Sequence, residues 1–194
     1  MKTESNPLDF FDRLFTQIQA ANLAEPTAMT LATATPDGKP SVRVVLLKGY
    51  DASGFVFYTN LESRKSRELL ANPFAALCFY WEMLSYQVRI EGKTRPVPEE
   101  EADTYFQSRP RGSQIGAWAS KQSRHLGTRT ELNSAVSTIE ARFSGRDIPR
   151  PEFWGGFKLI PDRYEFWKRG SDRLHERTLY RRIKNNWDVS LLYP

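Results

Sequence analysis

The chain has 194 residues, 40% hydrophobic and 26% charged, which suits one soluble globular domain with a real core. One cysteine, Cys78, and two distant histidines, His125 and His175, exclude an intramolecular disulfide and any zinc or iron cluster built from Cys and His. The net charge of +5 admits nucleic acid but suits equally a binder of phosphorylated small molecules, and the dispersed basic residues carry no zinc-finger or RNA-recognition signature.

No apolar run reaches the length of a membrane span, and Met1–Ser5 lacks the apolar stretch of a signal peptide, so the expected location is cytoplasmic. Leu8, Phe11, Leu14, Phe15 and Ile18 recur at helical spacing and predict an amphipathic helix from Pro7 to about Ala21. Thr27–Thr35 reads as a strand and Pro36-Asp37-Gly38 as a turn. The strand from about Ser41 then pairs antiparallel with the first.

The stretch Arg43–Lys65 (RVVLLKGYDASGFVFYTNLESRK) reads as a strand over Arg43–Gly49, a turn at Asp51–Gly54, a strand over Phe55–Thr59 and a helix start. Arg43, Val45 and Leu47 face one side of the first strand, and Val44, Leu46 and Lys48 the other. Apolar residues on both faces predict a buried strand, whose terminal cations need partners inside or beside a cleft. Ser63 is the expected N-cap of the helix. Arg64, Lys65 and Arg67 then crowd its first turn, where the macrodipole disfavours cations. A bound anion, most simply phosphate, accounts for that crowding; so does an ordinary basic surface helix. The helix ends at Asn72-Pro73.

Phe74–Trp81 and Gln87–Val97 follow as strands. In the second, Gln87, Arg89, Glu91 and Lys93 alternate with Val88, Ile90 and Gly92, the pattern of a half-buried antiparallel strand. Cys78, in an apolar run, reads as a buried structural thiol. Pro98-Glu99-Glu100-Glu101 opens a helix with acids in the favourable place, and Ser108-Arg109-Pro110 closes it. Within it, Tyr105 and Arg109 share a face at i, i+4 spacing and with Ser113 form a cluster suited to a second phosphate or to an interface. Arg111–Ser123 is a short helical or looped piece, Thr128–Phe143 a longer helix, and Pro149 and Pro151 a linker. Strands over Phe153–Ile160, Arg163–Trp167, Leu174–Lys184 and Trp187–Leu192 complete the chain, the last two joined at Asn185-Asn186. The expected fold is mainly β with helical decoration, a small antiparallel barrel in one domain over 1–194. Within it, 1–21 is an N-terminal helix, 98–144 a helical insertion and 153–194 the closing strands.

If Trp167–Arg177 runs extended, Arg173, His175 and Arg177 share one face, with Leu174 and Glu176 between them. Such a cationic row suits an anionic or electron-rich ligand, with Trp167 packed along a planar group, or else is a solvated strand face.

The blocks RVVLLK (Arg43–Lys48), FYTN with SRK (Phe57–Asn60, Ser63–Lys65), SRPRGSQIGAWASKQS (Ser108–Ser123), FWGG (Phe153–Gly156) and EFW with RLHER (Glu165–Trp167, Arg173–Arg177) occur in this order. Through them the chain resembles the pyridoxine/pyridoxamine 5′-phosphate oxidase family along almost its whole length. The resemblance implies a Greek-key-like, FMN-binding split β-barrel acting as a homodimer, with two flavin sites at the subunit interface. It implies flavin contacts by Arg43, Val44, Val45, Leu46, Leu47, Lys48, Tyr58, Thr59, Arg64, Lys65, Gln87, Gln122, Ser123, Trp167 and Arg177. It implies substrate contacts by Lys48, Tyr105, Arg109, Ser113 and Leu174, with Arg173 and His175 as the catalytic pair over the pyridine ring. The implied reaction moves a hydride from C4′ of pyridoxine or pyridoxamine 5′-phosphate to flavin N5, and oxygen reoxidises the flavin to give hydrogen peroxide.

Two departures from the family pattern stand out. Met1–Asn6 carries no basic arm with an Arg and a Tyr to fold over the substrate, and the usual Arg-Leu-x-Pro ending reads Leu191-Leu192-Tyr193-Pro194. Competing functions on the same scaffold are an oxidase of another aromatic substrate, as in phenazine biosynthesis, and a non-catalytic flavin carrier or sensor.

Overall fold

The computed structural model describes residues 4–21 and 23–194. The readings of Met1–Ser5 as no signal stretch and of Met1–Asn6 as no basic arm fall partly on Met1–Thr3, which lie outside the described residues.

Helix α1 (Pro7–Ala20) starts where the Asn6 side chain accepts from the Leu8 N–H at 3.0 Å and Pro7 supplies a preset φ. It lays Phe10, Phe11, Leu14, Phe15 and Ile18 onto the concave side of the sheet. Phe10 stacks on Phe166 at 4.1 Å between ring centroids, and Phe11 meets Phe55 edge-on at 4.9 Å.

The strands are β1 (Ala28–Ala34), β2 (Pro40–Leu46), β3 (Gly49–Asp51), β4 (Gly54–Asn60), β5 (Phe74–Trp81), β6 (Tyr86–Pro96), β7 (Trp154–Lys168), β8 (Glu176–Ile183) and β9 (Asn186–Leu191). They form one sheet in the order β2-β1-β5-β6-β7-β4-β3, with β8 and β9 added beside β7. All pairings are antiparallel, as expected. The sheet curls into a split half-barrel around α1. Helix α2 (Arg64–Ala71) follows β4, and α3 (Glu99–Ser108), α4 (Arg111–Ala119) and α5 (Arg129–Arg142) lie between β6 and β7. Phe106, Ile115, Phe143, Ile148 and Trp154 make a second, smaller core that fixes these helices to the start of β7. Among the described residues, no helix is long and apolar enough to cross a membrane.

Four expectations are corrected. First, β2 is an edge strand: Val42 and Val44 are 66% and 65% exposed on its outer face, so the strand is not buried on both sides. Second, Phe153–Ile160 and Arg163–Trp167 are one strand, β7. Pro161 has no N–H for the ladder, and the chain absorbs Asp162 as a bulge opposite Glu91 and Gly92. Gly92 permits the close approach, since a Cβ there would lie 2.0 Å from the Ile160 carbonyl oxygen. Third, Leu174 is not in a strand: Ser171–Arg173 form a 3-10 turn, and β8 starts at Glu176. Fourth, the last hairpin turns at Lys184 and Asn185, one residue earlier than expected, with Lys184 at φ 55°.

Phe11 is wholly buried and touches five other aromatic rings. Phe11→Ala should therefore lower stability by about 3–5 kcal/mol, read as a lower denaturant midpoint at unchanged slope.

Candidate active site

A cleft of about 590 Å³ opens between β2, β4, the start of α2 and the helices α3 and α4. At one end lies Lys65, in the first turn of α2 and 8% exposed. Its Nζ donates to Thr59 Oγ1 at 2.9 Å, Gln122 Oε1 at 3.0 Å and Ser63 Oγ at 3.2 Å. All three acceptors are neutral. Burial, and then the charge of nearby Arg43, push its pKa down to about 8. Ser63 occupies the N-cap position, but its hydroxyl is engaged with Ser66 rather than with the helix backbone. The first turn thus keeps free N–H groups and a buried ammonium without a carboxylate, a ready anion site.

Arg43 reaches the same end from β2, donating to Thr33 Oγ1 at 2.6 Å and to the Leu31 carbonyl at 3.2 Å, and burial lowers its pKa. Glu68 lies beneath, 5% exposed, accepting from Arg64 Nε at 2.8 Å, with Arg43 Nη2 at 3.4 Å. Burial alone would raise the Glu68 pKa, but the Ser41 and Thr33 hydroxyls and Arg64 pull it down to about 2. Arg64, 59% exposed, does not line the cleft.

The middle of the cleft is aromatic. Tyr58 on β4 stacks on Tyr105 at 4.0 Å and on Trp154 at 5.4 Å, with rings nearly parallel. Gly156 allows this wall, because a Cβ there would come within 2.7 Å of the Tyr58 ring. The Tyr58 hydroxyl donates to Glu101 Oε1 at 3.2 Å, and burial raises its pKa. At the far end the Arg109 guanidinium lies 4.7 Å above the Trp154 ring, and its buried Nη1 has no hydrogen-bond partner among the described residues. Burial lowers its pKa. Tyr105 and Ser113 line the cleft beside it. Arg109 thus has desolvated donor capacity waiting for an acceptor, a second anion site.

The cleft gathers Arg43, Val44, Val45, Leu46, Lys48, Tyr58, Thr59, Lys65, Tyr105, Arg109, Ser113 and Gln122 from the expected site. Leu47 points the other way, 3% exposed in the main core, so its side chain is no cleft contact. Ser123, exposed at φ 69°, lies next to Gln122 but outside the lining. Trp154, Asn60 and Ser120 line the cleft without having been singled out in the sequence. All three sat in view in the quoted blocks, Trp154 in FWGG, Asn60 in FYTN and Ser120 in SRPRGSQIGAWASKQS.

The remaining residues assemble elsewhere. Gln87, Trp167 and Arg177 lie in one cross-strand row over β6, β7 and β8. The His175 ring centroid is 4.5 Å from that of Trp167, and His175 Nδ1 accepts from the Gly170 N–H at 3.3 Å. The shared strand face expected for Arg173, His175 and Arg177 does not form, because Asp172 and Arg173 take φ of 51° and 63° and turn the chain. Arg173 and Leu174 are exposed on that turn. Arg177 is held by Glu165 Oε1, from Nε at 2.9 Å and Nη2 at 2.8 Å, and donates through Nη1 to the Tyr193 carbonyl. Glu165 is 2% exposed, with Arg89 Nη2 at 3.2 Å from its other oxygen. Within one protomer the two sets stand at opposite ends of β7.

Two family models match: "Pyridoxamine 5′-phosphate oxidase" over residues 15–143, and "Pyridoxine 5′-phosphate oxidase C-terminal dimerisation region" over residues 154–194. A pyridoxine/pyridoxamine 5′-phosphate oxidase of Myxococcus xanthus (strain DK1622) is 53% identical over 189 residues, covering 97% of this chain and 92% of the relative. One from Anaeromyxobacter dehalogenans (strain 2CP-C) is 54% identical, covering 97% and 96%. Among solved structures, PhzG from Burkholderia lata 383, in complex with tetrahydrophenazine-1-carboxylic acid, superposes with a TM-score of 0.94 at 35% identity, covering 100% of this chain and 95% of that one. A pyridoxamine 5′-phosphate oxidase-related, FMN binding protein from Nostoc punctiforme shares the fold at TM-score 0.77 and 16% identity, covering 99% and 100%.

The fold and these relatives together define an oxidoreductase on a split β-barrel. The chain belongs to the pyridoxine/pyridoxamine 5′-phosphate oxidase family.

Glu165 is the common counter-ion of Arg89 and Arg177, hydrogen-bonded to Arg177 alone. Glu165→Gln should cost about 3 kcal/mol, the lower part of the range for broken buried pairs because both guanidiniums reach solvent. A denaturant titration checks it.

Proposed function

We propose that this chain is an FMN-dependent oxidase that converts pyridoxine or pyridoxamine 5′-phosphate to pyridoxal 5′-phosphate with oxygen as acceptor, in a homodimer with FMN at the interface. One observation carries the reading. A single cleft has a buried ammonium with only neutral partners at one end, and a desolvated guanidinium with an unpaired nitrogen at the other. Two phosphorylated ligands, cofactor and substrate, meet both needs. The aromatic wall between them suits flat ring systems. The single cysteine suits a reducing compartment, and the proposed location is the cytoplasm.

The residues present fit FMN. Lys65 with the first turn of α2, Arg43, Thr59 and Gln122 would hold its phosphate end, with Arg64 alongside. Val44–Lys48, Tyr58, Ser123, Gln87, Trp167 and Arg177 would hold the rest, Leu47 through its backbone alone. Arg109, Ser113, Tyr105 and Lys48 would hold the substrate phosphate, and Leu174 its ring. The chemistry that FMN supplies is hydride acceptance from the substrate's C4′ and delivery of the electrons to oxygen as hydrogen peroxide. Arg173 and His175 would set the pyridine ring in a reactive pose and favour the charge that develops on it. Because His175 Nδ1 accepts a backbone hydrogen bond, the neutral imidazole would carry its proton on Nε2 and could donate it to a ligand.

The dimer reading is supported by the matched dimerisation region and by the exposed Val42, Val44 and Tyr80 on the outer sheet face. It also accounts for the two separated sets of site residues, each completing a site with the other set from a second copy. A phenazine-type oxidase is the second reading, favoured by the 35% identity to PhzG over the whole chain. The cluster of Tyr105, Arg109 and Ser113 favours a phosphorylated substrate instead.

The test is the visible spectrum of the flavin-loaded protein without oxygen. Bleaching by pyridoxine 5′-phosphate and recolouring in air are expected. A flavin-loaded protein that bleaches only with a phosphate-free aromatic substrate supports the second reading. One that bleaches with neither is a carrier or sensor, and failure to take up FMN overturns the proposal.

Arg173→Ala should lower kcat/KM by about 100-fold while leaving the FMN dissociation constant nearly unchanged. Equal losses would move Arg173 to the flavin.

Lys65 attracts phosphate only when protonated. FMN affinity should therefore be greatest near pH 7 and fall as pH rises past about 8, by at most tenfold per unit. Bound phosphate raises the Lys65 pKa, so the loss levels off at higher pH. Riboflavin, lacking the phosphate, should show no such fall in a pH series of fluorescence titrations.

A further inference from the structure

Glu68 is not needed by the reading above, yet it is the most heavily engaged carboxylate near the cleft. One oxygen accepts from Arg64 Nε; the other accepts from both the Thr33 and Ser41 hydroxyls and faces Arg43 Nη2. Arg43 is itself tied to Thr33, Ser41 and the Leu31 carbonyl, so β1, β2 and α2 meet at this single side chain. Such closure fixes two guanidiniums in place before any ligand arrives. Arg64 donates through Nε alone, and among the described residues its terminal nitrogens have no protein partner.

The charge count is also specific. Arg43, Arg64 and Lys65 bring three positive charges together and Glu68 removes one, leaving two. A phosphate monoester carries a charge of about −2 at neutral pH.

We propose that Glu68 is the positioning residue of the flavin phosphate site: it orients Arg43 and Arg64 and trims the site's charge to match a phosphate dianion. The assignment rests on the flavin reading. It makes an unusual demand, because Glu68 is an anion close to where an anion binds. By charge alone, removing it should tighten FMN. If it positions the arginines, removing it should weaken FMN, since the released guanidiniums repel each other and must be ordered again on binding.

The experiment measures FMN and riboflavin affinities of the apoprotein by flavin fluorescence for the unaltered chain, Glu68→Gln and Thr33→Val. The unaltered chain should bind FMN more tightly than riboflavin. Glu68→Gln should weaken FMN by about tenfold or more and leave riboflavin within about threefold. Thr33→Val removes the hydroxyl that links Glu68 to Arg43, keeps every charge and tests the network of the assignment even if Glu68→Gln folds poorly. It should narrow the ratio of FMN to riboflavin affinity in the same direction by a few-fold. An unchanged ratio in Thr33→Val, or FMN binding as tight or tighter in folded Glu68→Gln, would overturn the assignment. If the unaltered chain bound no FMN, the flavin reading itself would fall, and this assignment with it.

Discussion

The bulge that seats Asp162 in β7 governs where everything else lies. Proline at 161 cannot serve the ladder, and Gly92 across the pair lets the Ile160 carbonyl come close, so β7 continues through the break. Before the bulge β7 pairs with β4, and after it with β8. A continuous barrel would bind one neighbour along the whole edge; this one exchanges neighbours halfway and so is split. The cleft with Tyr58, Trp154 and Arg109 forms on the first half. Trp167, His175 and Arg177 gather on the second.

Two halves at opposite ends of a strand divide the electrostatic work as well. In the cleft half, cations outnumber the carboxylates that face them, and Lys65 and Arg109 are left with unmet demand. In the other half, Glu165 holds Arg177 by hydrogen bonds and pairs with Arg89 by charge, while its Oε2 and Arg163 Nε have no hydrogen-bond partner among the described residues. Such a surplus of buried positive charge costs stability. The aromatic core around Phe11, with the Phe10–Phe166 stack, offsets it on the far side of the sheet. The end of the molecule with surplus buried charge is thus the end that a bound anion would stabilise.

Most of the fold was legible because its signals are local. The α1 periodicity, the Pro36-Asp37-Gly38 turn and the alternation through Gln87–Lys93 each lie within one element, and each element formed within a residue or two of its expected bounds. The errors arose where the decisive partner is distant in sequence. Pro161 looks like a strand end until Gly92 is placed opposite it, and β2 looks buried until its place at the sheet edge is known. Arg173 failed for a local reason that period counting cannot see: two consecutive non-glycine residues in the left-handed region. The site divides the same way. Lys65 was visible as a cation in the wrong place on a helix, whereas Glu68 drew no notice in the sequence. Only the contact of α2 with Thr33 and Ser41 shows otherwise.

The misread strand face matters for how Arg173 and His175 act. On a regular strand, Arg173, His175 and Arg177 would be equally rigid and equally far from any ligand. In the observed turn, Arg177 is locked by Glu165 and by the Tyr193 carbonyl, His175 is half-buried against Trp167, and Arg173 stands free on a two-residue reversal. Anchoring by the rest of the chain therefore falls stepwise along five residues of sequence. A group that must hold a cofactor through many turnovers gains from being locked. A group that must admit, seat and release a substrate gains from freedom to move. On the proposed reading, that gradient, rather than a shared face, would separate the cofactor end of the motif from its substrate end.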